Sequence, residues 1–128
     1  QDINTQIPET QTHRDPTVYD KIFHEITFTE DSKLRDYYPG KDGGKINTVH
    51  HQSIKDLGKG LRIEAYSVPD NIIEAVYLEQ ENEDSPYAYG VQWHPEFFDT
   101  SDTSLLDRNN ILKPFLAEVQ KRKDKRQQ

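Results

Sequence analysis

The sequence predicts an α/β chain, a set of short strands closed by one C-terminal helix. Two observations carry that assignment. Apolar and polar residues alternate along 22–29 and 61–67, the period of half-buried strands, and 87–93 reads as a further strand. Between Leu105 and Val119 the apolar residues recur near every 3.6 positions, the period of a helix with one greasy stripe. The 128 residues make one domain's worth of chain at ~100–200 residues per domain.

Taken in order, residues 1–20 are polar, with Pro8 and Pro16, and read as a loop or extended arm. Residues 22–29 alternate as a strand, and 31–38 make a short helical turn capped by Asp31 or Ser32. Turn signals follow at Pro39-Gly40 and Asp42-Gly43-Gly44, then a short strand over 45–50 with Ile46 and Val49 as its apolar members. Residues 52–57 look like one helical turn, ended by Gly58 and Gly60. Strands over 61–67 and 72–78 flank Pro69-Asp70-Asn71 as a hairpin, and 79–86 form an acidic loop. Residues 87–93 are the clearest strand, ending at His94-Pro95.

In the final helix Leu105, Asn109, Leu112, Leu116 and Val119 share a face that Ile111 and Phe115 widen. Pro114 within it predicts a kink or a break. Residues 121–128 are a basic tail, whose cations suit a helix C-terminus and whose ordinary state is a solvated, fraying end.

Composition excludes several classes. Lys and Arg number 16 against 23 Asp and Glu, a formal charge of −7, which argues against nucleic-acid binding. No apolar run approaches the ~18 residues of a membrane span, and no signal-peptide pattern opens the chain, so the expectation is a cytoplasmic protein. There is no cysteine, hence no disulfide, thiolate metal site or cysteine nucleophile within these residues. Only 32% of residues are hydrophobic, enough for a thin core. No methionine occurs, at position 1 or elsewhere, which predicts a processed or excised piece.

His94-Pro95-Glu96 is the first candidate for chemistry. Proline favours an extended residue before it, and side chains two apart in extended chain share a face, with Cβ atoms about 7 Å apart. One hydrogen bond closes that gap, the way a carboxylate fixes the tautomer of a catalytic base. A surface His beside a surface Glu has the same spacing. Asn47-Thr48-Val49-His50-His51-Gln52 is the second candidate. Adjacent histidines on a strand point to opposite faces, so only one serves a given site. His50, His94 and Glu96 are ligand types that zinc accepts, although no metal motif spaces them. His13 and His24 read as ordinary surface or strand residues.

The string Gly90-Val91-Gln92-Trp93-His94-Pro95-Glu96, preceded by Asn47–Gln52 and by Gly60-Leu61-Arg62-Ile63-Glu64-Ala65, resembles the class I glutamine amidotransferase-like superfamily. The resemblance runs to its gamma-glutamyl-gamma-aminobutyrate hydrolase-like peptidases and covers nearly the whole chain. It implies the C-terminal portion, residues 1–128, of one flavodoxin-like domain. It further implies a Cys–His–Glu triad with His94 as base and Glu96 as its orienting carboxylate. The thiolate would attack a gamma-glutamyl amide. His50 would lie on the substrate side and Gln52 would support its loop. Thr48 stands where the family usually has serine. The family's nucleophile sits in an earlier Gly-rich elbow that this chain lacks. The implied partners are therefore a small gamma-glutamyl substrate and the missing N-terminal half of the domain, with no cofactor, nucleic acid or membrane. A sheet edge left open by truncation invites pairing with a second copy. A non-catalytic binding module of the same fold remains the alternative.

Overall fold

A computed structural model of the chain describes residues 1–7, 12, 22–68, 70–99 and 101–128. Five strands make one antiparallel sheet: β1 (Phe23–Phe28), β2 (Gly43–Asn47), β3 (Leu61–Val68), β4 (Ile73–Leu78) and β5 (Tyr89–Val91). They are ordered β2-β1-β3-β4-β5. Among the described residues the helices are α1 (Ile3–Gln6), α2 (Leu34–Tyr37) and α3 (Asn109–Arg126), with a 3-10 turn at Pro95–Phe97. This mixed α/β arrangement, with a C-terminal helix, is consistent with part of the flavodoxin-like domain expected. Among the described residues no helix is long and apolar enough to cross a membrane.

Alternation in β1 sorts its residues as expected. Ile26 and Phe28 are buried beside His24, while Phe23 on the other face is exposed. Their face joins Ile46, Ala65 and Ala75 and packs against Leu34, Tyr38, Trp93, Phe98, Leu105 and Leu106. Burying each large aliphatic side chain of that layer stabilises the fold by roughly 1.5–3 kcal/mol. The same layer anchors the segment leading to His94, because Trp93 and Phe98 bracket it and both are buried.

Several elements depart from expectation. The first residues are not an arm. Asp2 caps α1 by accepting from Thr5 N at 3.0 Å, Ile3 is fully buried, and Ile3 N donates to His51 O at 2.8 Å. Residues 8–11 and 13–21, with the expectations placed on them and on His13, lie outside the described residues, as do Pro69 and Thr100.

No helical turn forms over 52–57. Gln52 instead bridges Asp2 and Ser53 N donates to Gln1 O at 2.8 Å, so the N-terminal segment takes the start of that stretch. β2 starts two residues early, because Gly43 and Gly44 pair with Thr27 and Ile26 rather than turning. β5 is shorter than the strand expected over 87–93, although Gln92 N still donates to Glu74 O at 2.8 Å.

The final helix begins at Asn109, not Leu105. Leu105 bridges Lys45 in parallel, and Leu106 N donates to Lys45 O at 3.0 Å, so β2 captures that pair before the helix starts. α3 continues through Pro114 without a break and carries the basic tail as far as Arg126. None of its residues is fully buried. Leu112, Phe115, Leu116 and Val119 are each about half exposed, so the apolar stripe is largely uncovered.

Candidate functional site

The sheet delivers His94 to one end of the molecule. Beyond β5 the chain is pinned by buried Trp93 and then by Asn47, whose carboxamide grips the main chain of His94 on both sides. Asn47 Nδ2 donates to His94 O and Asn47 Oδ1 accepts from His94 N, each at 2.8 Å. Pro95 opens the 3-10 turn, where the N–H that proline lacks would have had no helical partner. Phe97 N donates to His94 O at 3.1 Å and closes that turn.

His94 and Glu96 do meet, but not in extended chain. His94 has φ −115° and ψ 87°, and the turn after it swings Glu96 back across one residue. Glu96 Oε1 lies 2.8 Å from His94 Nδ1. The imidazole hydrogen bond holds the Glu96 carboxyl below its ordinary range, so it is an ionised acceptor. An ionised acceptor requires Nδ1 to carry the proton in neutral imidazole, which leaves the lone pair on Nε2. Phe97 stacks on the imidazole with centroids 5.2 Å apart and planes 20° off parallel. The His94 side chain is 37% exposed and that of Glu96 60%, so the pair sits at an open surface.

His50 occupies a different network. Its Nδ1 lies 2.9 Å from Gln52 O, and its Nε2 lies 3.4 Å from Glu74 Oε1. Gln52 therefore supports the loop through its carbonyl. His24 Nε2 approaches the same Glu74 oxygen at 3.5 Å, so His24 is a buried strand residue that faces the same carboxylate. Burial pushes the His50 imidazole down, yet the hydrogen bond and charge of Glu74 outweigh it and the net shift is upward. His50, His94 and Glu96 are thus split between two networks. Among the described residues no three His, Asp or Glu gather to hold a metal ion.

Sequence reasoning passed over Glu74 and understated Asn47. Glu74 carried a signal, as a lone charge inside the apolar run IIEAVYL, where a carboxylate must be paired to be buried. For Asn47 the only signal was its place in the string with His50.

Beside Glu96 lies an open cavity of about 460 Å³, lined by Tyr87, Tyr89, Val91, Ile111 and Phe115 together with Glu96 itself. Its walls are the β5 edge and the first turns of α3. The site thus combines an oriented imidazole with an open apolar flank.

Residues 1–96 match the family described as Peptidase C26. The chain is 32% identical over 89 residues to the protein NtpR of Enterococcus hirae, covering 70% of this chain and 35% of the relative. It is 38% identical over 74 residues to the gamma-glutamyl-gamma-aminobutyrate hydrolase PuuD of Escherichia coli, 58% of this chain and 27% of the relative. It is 33% identical over 96 residues to the putative glutamine amidotransferase-like protein YvdE of Lactococcus lactis, 75% of this chain and 37% of the relative. The chain spans about a third of the length of the curated relatives it matches.

Proposed function

The chain belongs to the Peptidase C26 family, and from that premise we propose that it is the base-bearing part of a cysteine-dependent hydrolase of gamma-glutamyl amides. The nucleophile comes from outside these 128 residues, which contain no cysteine. The observation that carries the reading is the 2.8 Å contact between His94 Nδ1 and Glu96 Oε1. It leaves Nε2 as the basic nitrogen, the arrangement a general base needs.

His94 takes the thiol proton, the thiolate attacks the gamma-carbonyl carbon, and the imidazolium returns the proton to the departing amine. Water, deprotonated in turn by Nε2, attacks the thioester and releases glutamate with the free thiol. Glu96 stabilises the imidazolium and keeps the ring oriented. His50 borders the substrate side. With both its ring nitrogens engaged, it contributes by shaping the loop that Gln52 supports. The half-exposed Leu112, Phe115, Leu116 and Val119 suit docking of the rest of the domain, since they line up as one apolar face of α3. The chain alone is therefore inactive.

The absence of cysteine also favours a second reading, a binding module of the same fold that performs no chemistry. One experiment separates the two. The whole reading frame containing these residues is expressed and assayed for glutamate release from a gamma-glutamyl amide, with and without iodoacetamide. Thiol-sensitive turnover that disappears in His94→Ala supports the hydrolase. A whole protein without turnover, or one indifferent to His94→Ala, sinks it.

A further inference from the structure

β2 and β5 are the two edges of the sheet, yet Asn47 at the end of β2 holds His94 just beyond β5. Its carboxamide supplies one donor and one acceptor to the two main-chain groups flanking the His94 Cα. That is what a neighbouring strand offers one residue of an antiparallel ladder. The edges are thereby joined at the point where His94 leaves the sheet. Asn47 is itself immobilised, being 2% exposed and paired with Phe23 in the β1–β2 ladder, while the next residue, Thr48, donates its N–H to Ile22 O at 2.9 Å.

The grip reaches further than the backbone of one residue. His94 O accepts from Asn47 Nδ2 and also from Phe97 N, the bond that closes the turn carrying Glu96. The Cα–Cβ direction follows from φ and ψ, which also restrict the χ1 rotamers allowed, so fixing the peptide planes on both sides of His94 narrows the directions its imidazole can take. The requirement is specific to a carboxamide. Aspartate is the same size but would set an anionic oxygen against the His94 carbonyl, and alanine would take the partner from His94 N and leave His94 O with the Phe97 N–H alone.

We propose that Asn47 is a positioning residue for His94, locking its main chain so that Nδ1 stays on Glu96 and Nε2 faces the incoming nucleophile. The proposal rests on the reading of His94 as the base, while its geometry can be tested without turnover.

The test is nitrogen-15 NMR of the His94 imidazole in the 128-residue chain, for the wild type, Asn47→Asp and Asn47→Ala. Leu34→Ala, which loosens the core but removes neither partner of the clamp, is the control for stability. The expected wild-type spectrum shows His94 in the Nδ1–H tautomer, with shifts that respond to Glu96→Gln. Both Asn47 variants should lose that tautomer preference and that response, and Leu34→Ala should keep them. Asn47→Asp decides the question if Asn47→Ala does not fold. Asn47 variants that keep the wild-type tautomer overturn the proposal, as does a Leu34→Ala chain that loses it. If the tautomer is released by Asn47→Asp but the whole reading frame shows no hydrolysis dependent on His94, the clamp stands and the hydrolase reading falls.

Discussion

His50 Nε2 lies 3.4 Å from Oε1 of Glu74, a carboxylate with no exposed surface in the middle of an apolar strand. The other His50 nitrogen faces a carbonyl, which only accepts. An imidazole between two acceptors satisfies both only as the cation, which is why Glu74 raises its pKa against the opposing effect of burial. The pair ties the loop of residues 48–52 to β4.

That relationship sets a pH dependence. His50 is raised in the folded chain above its ordinary value of 6.5. Its contribution to stability is present in full below pH 6.5 and is lost as pH rises through the raised value. Thermal midpoints measured from pH 5.5 to 8.5 should fall across that window. His50→Gln should lower the midpoint at pH 5.5 and flatten the decline, and an unchanged slope in His50→Gln would refute the assignment.

Activity of the whole protein should rank the site residues. His94→Ala removes the proposed base and should cost several orders of magnitude in kcat. Glu96→Ala should cost less, since water can partly orient the imidazole at this open surface. His50→Ala should raise KM more than it lowers kcat. Steady-state kinetics on a gamma-glutamyl amide measure all three, and a Glu96→Ala loss larger than that of His94→Ala would reverse the assigned roles.

Two leucines in the C-terminal quarter should behave in opposite ways. Leu106 is 1% exposed and packs in the core, so Leu106→Ala should destabilise the chain by about 2–5 kcal/mol. Leu116 is 51% exposed on α3, and Leu116→Ala should change stability by no more than about 0.5 kcal/mol. Urea unfolding followed by circular dichroism reads both. A large loss at Leu116 would mean that its stripe is covered in solution.

The β1–β2 pairing depends on glycine at one position where backbone meets backbone. A Cβ on Gly43 would be driven into the carbonyl oxygen of Ile26, with no flexible side chain to give way. Gly43→Ala should therefore cost about 1–3 kcal/mol through forced backbone shifts. At Gly58 the nearest atom to an added Cβ is Leu61 Cδ1 at 3.5 Å, so Gly58→Ala should be far milder. Equal midpoints for the two variants in chemical denaturation would contradict the close approach.

Sequence by itself determined the elements whose cause is local. Alternation sorted the faces of β1, legible from Ile26 and Phe28, and marked β3 as a strand with β4 as its hairpin partner, but a register shift between Ile63 and Ala65 buries Glu64 beside Ala65, which no alternation foretold. A spacing of two likewise let Glu96 reach His94 through any tight local path, even though the path proved to be a 3-10 turn. Tertiary structure decided what periodicity does not encode. Leu105 left the helical pattern because β2 captured it, and Gln52 paired with Asp2 where a helical turn was expected. The stripe on α3 was read correctly as apolar, but whether a stripe is covered depends on what packs against it. The contacts that organise the site join residues 47 apart for Asn47 and His94 and bring His50 onto β4. Such contacts exist only once the sheet has brought its edges together, and no local spacing records that closure.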